Sequence, residues 1–142
     1  MIYLDAAYIA RLYFEDPGWE KVRALAAQEP VACSLHGYAE VVSVMHRKFR
    51  EGSLTAAHYR QTLEQFTVDC GEDAYRWLPL APAVNDRVKK AYEKLPRKIF
   101  LRASDALHLA CAAENNLPEV YSNDHRLLAA ARHFGLHGVN II

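Results

Sequence analysis

The chain has 142 residues, 51% of them hydrophobic and 24% charged, and its 17 basic and 17 acidic side chains balance to zero net charge. This length is most simply one domain spanning residues 1–142, able to bury a sizeable core without staples, and the charge balance excludes bulk attraction to nucleic acid or acidic membranes, so any such binding must come from local patches. Cys33, Cys70 and Cys111 are odd in number and lack a CxxC spacing, which points to reduced, mostly buried thiols in a cytoplasmic protein rather than a disulfide framework or a cysteine zinc site.

Short punctuation marks divide the chain into alternating elements. A first strand is expected over Ile2–Leu4, ended by Asp5, with a short helix from Ala6. Asp5 interrupts the N-terminal apolar run too early for a signal peptide, and no uncharged apolar stretch is long enough to span a bilayer. After the turn at Asp16–Gly18 and Glu29-Pro30 comes a strand over Val31–Ser34. Tyr38, Val41, Val42, Met45 and Phe49 then show helical spacing. Beyond Glu51–Ser53, so do Tyr59, Leu63, Phe66 and Cys70. A strand over Arg76–Leu78 precedes the helical set Val84, Val88, Ala91 and Leu95. Leu101–Ala113 is apolar nearly all round, the pattern of a central buried helix. A strand at Val120–Tyr121, a helix over Asp124–Phe134 closed by Gly135, and a strand over Val139–Ile142 complete the chain. Strands alternating with helices predict an α/β fold, a parallel sheet with helices on its faces and right-handed crossovers.

Most acids sit in solvated settings: Glu51, Glu64, Asp86 and Glu93 fall off the apolar stripes of their helices. Four do not. Asp5 ends the first strand, Glu40 lies beside the apolar stripe in YAEVVSV, Asp105 opens the most apolar helix in SDALHLACAA, and Asp124 follows the fourth strand in VYSNDHRL. Residues just past the C-terminal ends of parallel strands face one shared crevice, and helices that follow strands begin at the same edge, so the four can converge. Two carboxylates about 4 Å apart repel by roughly 4 kcal/mol at an effective dielectric of 20. Four together require a cation, and an all-oxygen set suits Mg²⁺ or Mn²⁺. The seven histidines are scattered along the chain and form no HExxH. Each acid also has an ordinary reading: Asp124 and Asp5 as helix caps, Asp105 as a first-turn acid, Glu40 as a partner for Arg47 or solvent. Their joint placement is the functional signal.

At these residues the chain resembles the PIN-domain ribonucleases, specifically the VapC-type toxins of prokaryotic toxin–antitoxin pairs. MIYLDAAYIARLYFEDPG, SLHGYAEVVSVMHR, LRASDALHLACAAE and VYSNDHRLLAAARHFGL stand in for the family's four motifs, in order and at family spacing. The resemblance implies a three-layer α/β/α fold with a five-stranded parallel sheet. It also implies an acidic pocket of Asp5, Glu40, Asp105 and Asp124, with Ser122 orienting a carboxylate or water. One position departs: the family usually has Ser or Thr two residues after the first Asp, where this chain has Ala7, which weakens the support around the first carboxylate.

The function implied is hydrolysis of RNA phosphodiester bonds, in tRNA or rRNA, assisted by one or two Mg²⁺ or Mn²⁺ ions held by Asp5, Asp105, Glu40 and Asp124. Basic residues should flank an acidic pocket that otherwise repels phosphate. Arg97, Lys98 and Arg102, with Arg11 and Arg126, are the candidate RNA contacts, and the HRKFR run reads equally as a solvated helix face. A VapB-type antitoxin and a homodimer are the implied partners, with LYFEDPGW and the Tyr59 helix able to line a groove or to serve as core. Two other readings stand beside this one. A haloacid-dehalogenase-type phosphatase needs a second Asp where Ala7 stands. A non-catalytic PIN-like scaffold is favoured by Ala7 and opposed by the presence of all four acids.

Overall fold

A computed structural model describes residues 1–142. Five strands, β1 (Ile2–Leu4), β2 (Val31–Ser34), β3 (Tyr75–Leu78), β4 (Glu119–Tyr121) and β5 (His137–Val139), alternate with seven helices: α1 (Ala6–Ala10), α2 (Trp19–Ala26), α3 (Leu35–Arg50), α4 (Ala56–Gly71), α5 (Pro82–Lys94), α6 (Ala103–Glu114) and α7 (His125–Ala131). All strand pairs are parallel, in the order β3-β2-β1-β4-β5. The chain steps outward one way from β1 to β3, then crosses back to β4 and β5. Right-handed connections therefore put α1–α4 on one face and α5–α7 on the other. Consistently, α1 and α4 pack on α3, while α5 and α7 pack on α6.

The core is a single apolar cluster around β1, β2 and β4, whose residues Tyr3, Leu4, Ala32, Cys33 and Val120 are fully buried. Fully covered strands read as continuous apolar runs because helices close both faces of a parallel sheet. Helix α6 is the central helix its composition announced: Ala106 and Leu109–Ala112 are all buried. It starts at Ala103 rather than Leu101, since Arg102 keeps an extended backbone before the first turn.

The last strand differs from its expected place. It pairs over His137–Val139, not Val139–Ile142, because β4 offers only Glu119, Val120 and Tyr121 as partners. Gly138 permits this register, as a Cβ there would lie 2.9 Å from Leu128 Cδ2 on α7. The apolar tail that looked like a strand turns away instead: Asn140 Oδ1 accepts from the Tyr8 hydroxyl at 3.0 Å, and the Ile141 N–H donates to that hydroxyl oxygen at 3.1 Å. Strands β3 and β4 each begin one residue earlier than their apolar runs, extended by Tyr75 and Glu119.

The aromatics of LYFEDPGW nearest α1 belong to the core or pack against it. Phe14 is buried. Tyr13 bonds Asp69 and Tyr75 at 2.5 and 2.7 Å and packs edge-on against Phe66. Cys33 and Cys111 are buried and Cys70 is half-buried. No helix is long and apolar enough to cross a membrane.

Candidate functional site

The strand order reverses between β1 and β4, and in open α/β sheets the crevice at such a switch point is where ligands bind. Register builds the site there. Leu4 pairs with Tyr121, so the next residues, Asp5 and Ser122, leave the sheet side by side, tied by the Asp5 N–H donating to the Tyr121 carbonyl at 3.1 Å. A cleft of about 770 Å³ opens at this edge, and Asp5, Glu40, Asp105 and Asp124 all line it.

Two of these acids cap helices while facing the cleft. Asp5 Oδ1 accepts the Tyr8 N–H at 2.8 Å, starting α1. Asp124 Oδ1 accepts the Arg126 and Leu127 N–H groups at 2.8 and 3.3 Å, starting α7, and leaves Oδ2 for the site. Capping uses one carboxylate oxygen and frees the other, so the structural and functional roles coexist. Ser122, fully buried behind them, accepts the Asp124 N–H at 2.9 Å. Burial raises the Asp5 carboxyl pKa, opposed by the Ser122 hydroxyl, the Tyr8 amide and the positive fields of His108 and Arg11.

Glu40 is held from two sides. Its Oε1 accepts the Ser104 hydroxyl at 2.7 Å, and its Oε2 lies 2.7 Å from His108 Nε2. An ionised carboxylate can only accept, so His108 Nε2 carries the proton. The other ring nitrogen lies 2.7 Å from the Tyr3 hydroxyl, which also accepts the Ser34 N–H at 3.0 Å. A buried chain thus runs from β2 through Tyr3 and His108 to Glu40. Burial raises the Glu40 pKa, but the His108 hydrogen bond and charge and the Ser104 bond outweigh it, leaving it at about 2. Burial also works against a charged His108, yet hydrogen bonds to Cys33 and Glu40 raise its pKa to about 10.

Arg102 supplies a further positive charge. Its Nε donates to Asp105 Oδ2 at 2.8 Å and one terminal nitrogen donates to Asp124 Oδ2 at 2.6 Å. The guanidinium therefore stands between two of the four carboxylates. Like-charge repulsion in the pocket is relieved in part by the chain itself, through Arg102 and His108, where charge counting along the sequence had required an added cation for all four.

A sequence profile of the PIN domain matches residues 2–133. The chain belongs to the PIN domain family. Among curated proteins no sequence relative matches. Solved structures that share the fold include FitAcB from Neisseria gonorrhoeae, 18% identical with a TM-score of 0.75, covering 99% of this chain and 97% of that one. VapBC2 from Rickettsia felis, bound to a DNA fragment from its promoter, is 17% identical with a TM-score of 0.69, covering 99% and 98%. VapC20 from Mycobacterium tuberculosis, a sarcin–ricin-loop-cleaving toxin, is 19% identical with a TM-score of 0.66, covering 92% and 95%.

In this PIN domain the four acids expected from the sequence line one cleft, with Ser122 directly behind. The basic residues are distributed otherwise. Arg102 lines the cleft, whereas Arg97 and Lys98 lie exposed in the turn before α6 and do not. Arg11 is engaged by the carbonyls of Pro17 and Ala7, and exposed Arg126 lies with its guanidinium 4.6 Å from the Phe100 ring centroid. The HRKFR run divides: Lys48 pairs with Asp16 at 2.6 Å, while Arg47 lines the cleft.

Sequence reasoning missed His36, Ser104 and His108. Treating the histidines as scattered is corrected here: the His36 and His108 rings lie 4.3 Å apart, centroid to centroid. A signal existed. His108 stands three residues after Asp105, on the same helix face, and His36 stands four before Glu40.

Proposed function

We propose that this PIN domain is a divalent-metal-dependent endoribonuclease and the toxin of a toxin–antitoxin pair. One observation carries the reading: four carboxylates from separate elements converge at the switch-point cleft, and a guanidinium already bridges two of them. A site that draws its own cation between Asp105 and Asp124 has the donor chemistry of a hard-cation site, all oxygen and anionic. Asp5 and Asp105 would hold Mg²⁺ or Mn²⁺ directly, with Glu40 and Asp124 binding directly or through water. When bound, such an ion supplies Lewis-acid stabilisation of phosphoryl charge and lowers the pKa of water at the site.

The chain's own residues do the rest. Ser122 keeps Asp124 aimed by its bond to the Asp124 amide. His108 and Ser104 fix both oxygens of Glu40. Arg47 of α3 and Arg102 at the start of α6 both line the cleft and suit the phosphates of a single-stranded or looped RNA; Arg97, Lys98 and Arg126 extend the basic surface beyond it. Arg102 would leave the carboxylates as the ion enters and meet the substrate phosphate instead. A VapB-type antitoxin and a second copy of this chain are the proposed partners, and the exposed apolar residues Leu35, Tyr38, Phe49 and Val68 on α3 and α4 offer surface for them.

The test is incubation of partner-free protein with a mixed tRNA and rRNA pool in Mn²⁺ or EDTA, beside Asp5→Asn and Asp105→Asn. Cleavage is expected with Mn²⁺ in the unmutated protein alone. Cleavage that persists in EDTA or in both variants overturns the reading, and RNA binding without cleavage favours a non-catalytic scaffold.

A further inference from the structure

The donor atoms gathered around Glu40 have different chemistry from the four acids of the cleft. One donor atom from each of His36, Glu40 and His108 lies within 4.8 Å of the other two. His36 and Glu40 share a face of α3 at i, i+4, and His108 comes from α6, one turn past Asp105. Two imidazoles and a carboxylate are a donor set for a borderline ion such as Zn²⁺, whereas Mg²⁺ and Mn²⁺ prefer oxygen. Each imidazole is also steered from its far nitrogen. Ser34 Oγ lies 2.7 Å from His36 Nδ1 and the Tyr3 hydroxyl lies 2.7 Å from His108 Nδ1. Hydrogen bonding of this kind at the non-ligating nitrogen orients metal-binding histidines. Both Nε2 atoms face the shared corner, each with a proton that an entering ion would displace: His108 Nε2 donates to Glu40, and His36 Nε2 donates to the Ser104 carbonyl at 3.1 Å.

We propose that His36, Glu40 and His108 form a second cation site, selective for Zn²⁺-like ions, that shares Glu40 with the oxygen pocket. Loading replaces the Glu40–His108 hydrogen bond with two ligand bonds to one ion and releases any proton held on the imidazoles. On His36 the proton moves from Nε2 to Nδ1, where Ser34 Oγ, 2.7 Å away, can accept it. The proton favoured on His108 must be displaced, which an ion with strong imidazole affinity achieves and Mg²⁺ does not. A Zn²⁺-held Glu40 is withdrawn from the oxygen pocket, so Zn²⁺ inhibits the Mg²⁺-supported reaction. That consequence rests on the nuclease reading; the binding does not.

Co²⁺ serves as the visible probe for the site in the full-length protein. One Co²⁺ per chain is expected to give the intense visible bands of a low-coordinate, nitrogen-containing site, displaced by Zn²⁺ and not by excess Mg²⁺. His36→Gln should weaken Co²⁺ binding by about 100-fold or more, the upper end of the loss seen when even an outer-shell partner is removed, while Asp105→Asn keeps the bands. Weak bands of an all-oxygen site, bands that survive His36→Gln, or bands lost in Asp105→Asn overturn the proposal. In the unmutated protein, Zn²⁺ titration followed by NMR should move the ring resonances of His36 and His108 and leave those of His46 and His137 in place; unmoved His36 and His108 resonances also overturn it. If RNA is cleaved, Zn²⁺ should suppress Mg²⁺-supported cleavage in the unmutated protein and not in His36→Gln. If RNA is not cleaved, the nuclease reading fails and the spectra still decide the site.

Discussion

His108 Nε2 and Glu40 Oε2 lie 2.7 Å apart, with the imidazole almost fully buried and the carboxylate facing the cleft. The pair joins α6 to α3, and Tyr3 anchors it to the sheet. Glu40 is thereby positioned by the core and not by its own helix alone. Removing the Tyr3 hydroxyl leaves the buried Ser34 N–H short of a partner and His108 Nδ1 with only Ser34 Oγ at 3.2 Å, so Tyr3→Phe should lower stability by about 1–3 kcal/mol in urea titrations. His108→Gln should reduce RNA cleavage by about 10–100-fold with Glu40 still present. Full cleavage in His108→Gln would show that Glu40 needs no such support.

The same pair sets a pH dependence. Glu40 is held near 2, below its ordinary 4.5, so its stabilisation is complete above 4.5 and is lost as pH falls toward 2. His108 is held near 10, above its ordinary 6.5, so its stabilisation is complete below 6.5 and is lost as pH rises through 10. Asp5 works against the acid limb: its raised carboxyl favours folding below its ordinary 3.8 and loses that contribution as pH rises. Melting temperatures in chelator should therefore decline steadily between pH 6.5 and 10. The decline should flatten in His108→Gln, and a flat alkaline limb in the unmutated protein would remove the charged pair.

Arg102 is half-exposed yet bridges Asp105 and Asp124. Surface pairs of this exposure contribute about 0–1 kcal/mol each, so Arg102→Gln should lower the melting temperature only slightly in chelator. Its larger effect should appear on adding Mn²⁺. With no guanidinium to displace, the ion should bind more tightly and raise the melting temperature further than in the unmutated protein. An equal or smaller rise would mean that guanidinium and ion do not compete.

Gly37 lets α3 seat closely against Cys33 of β2 and His108 of α6. A Cβ there would fall 2.4 Å from Cys33 Sγ and 3.2 Å from His108 Cε1. Both neighbours are buried, so a shift of either disturbs the packing around it. Gly37→Ala should cost about 1–3 kcal/mol, the range for overpacking a core, and should displace His108 from Glu40. Calorimetry checks the first effect. The second should appear as a fall in cleavage at temperatures where the variant is fully folded.

The sequence by itself determined the layer architecture and the four acids. Short apolar runs and period-3.6 apolar spacing reflect which residues face the core, and Asp5 and Asp124 stand out because a carboxylate seldom ends an apolar run without a task. Capping and site roles need not be separated: capping takes one oxygen of Asp5 and of Asp124, and the other Asp124 oxygen meets Arg102. The last strand was misplaced because local apolarity favoured Val139–Ile142, whereas pairing follows what β4 offers and what Gly138 allows over α7.

Only the tertiary structure decided how the site is held. His36 and His108 are 72 positions apart along the chain (108 minus 36), and nothing local announces that their rings meet. Arg102 and Arg47 were two of several basic residues until the packing of α3 and α6 turned them into the cleft and left Arg97 and Lys98 outside it. Ala7, where a hydroxyl was expected, lines the cleft, while the hydroxyls of Ser104 and Ser122 bond Glu40 and the Asp124 amide from other elements. Residue type and spacing record burial and local geometry. Contacts between distant elements depend on how the helices seat on the sheet, and that is a property of the folded chain.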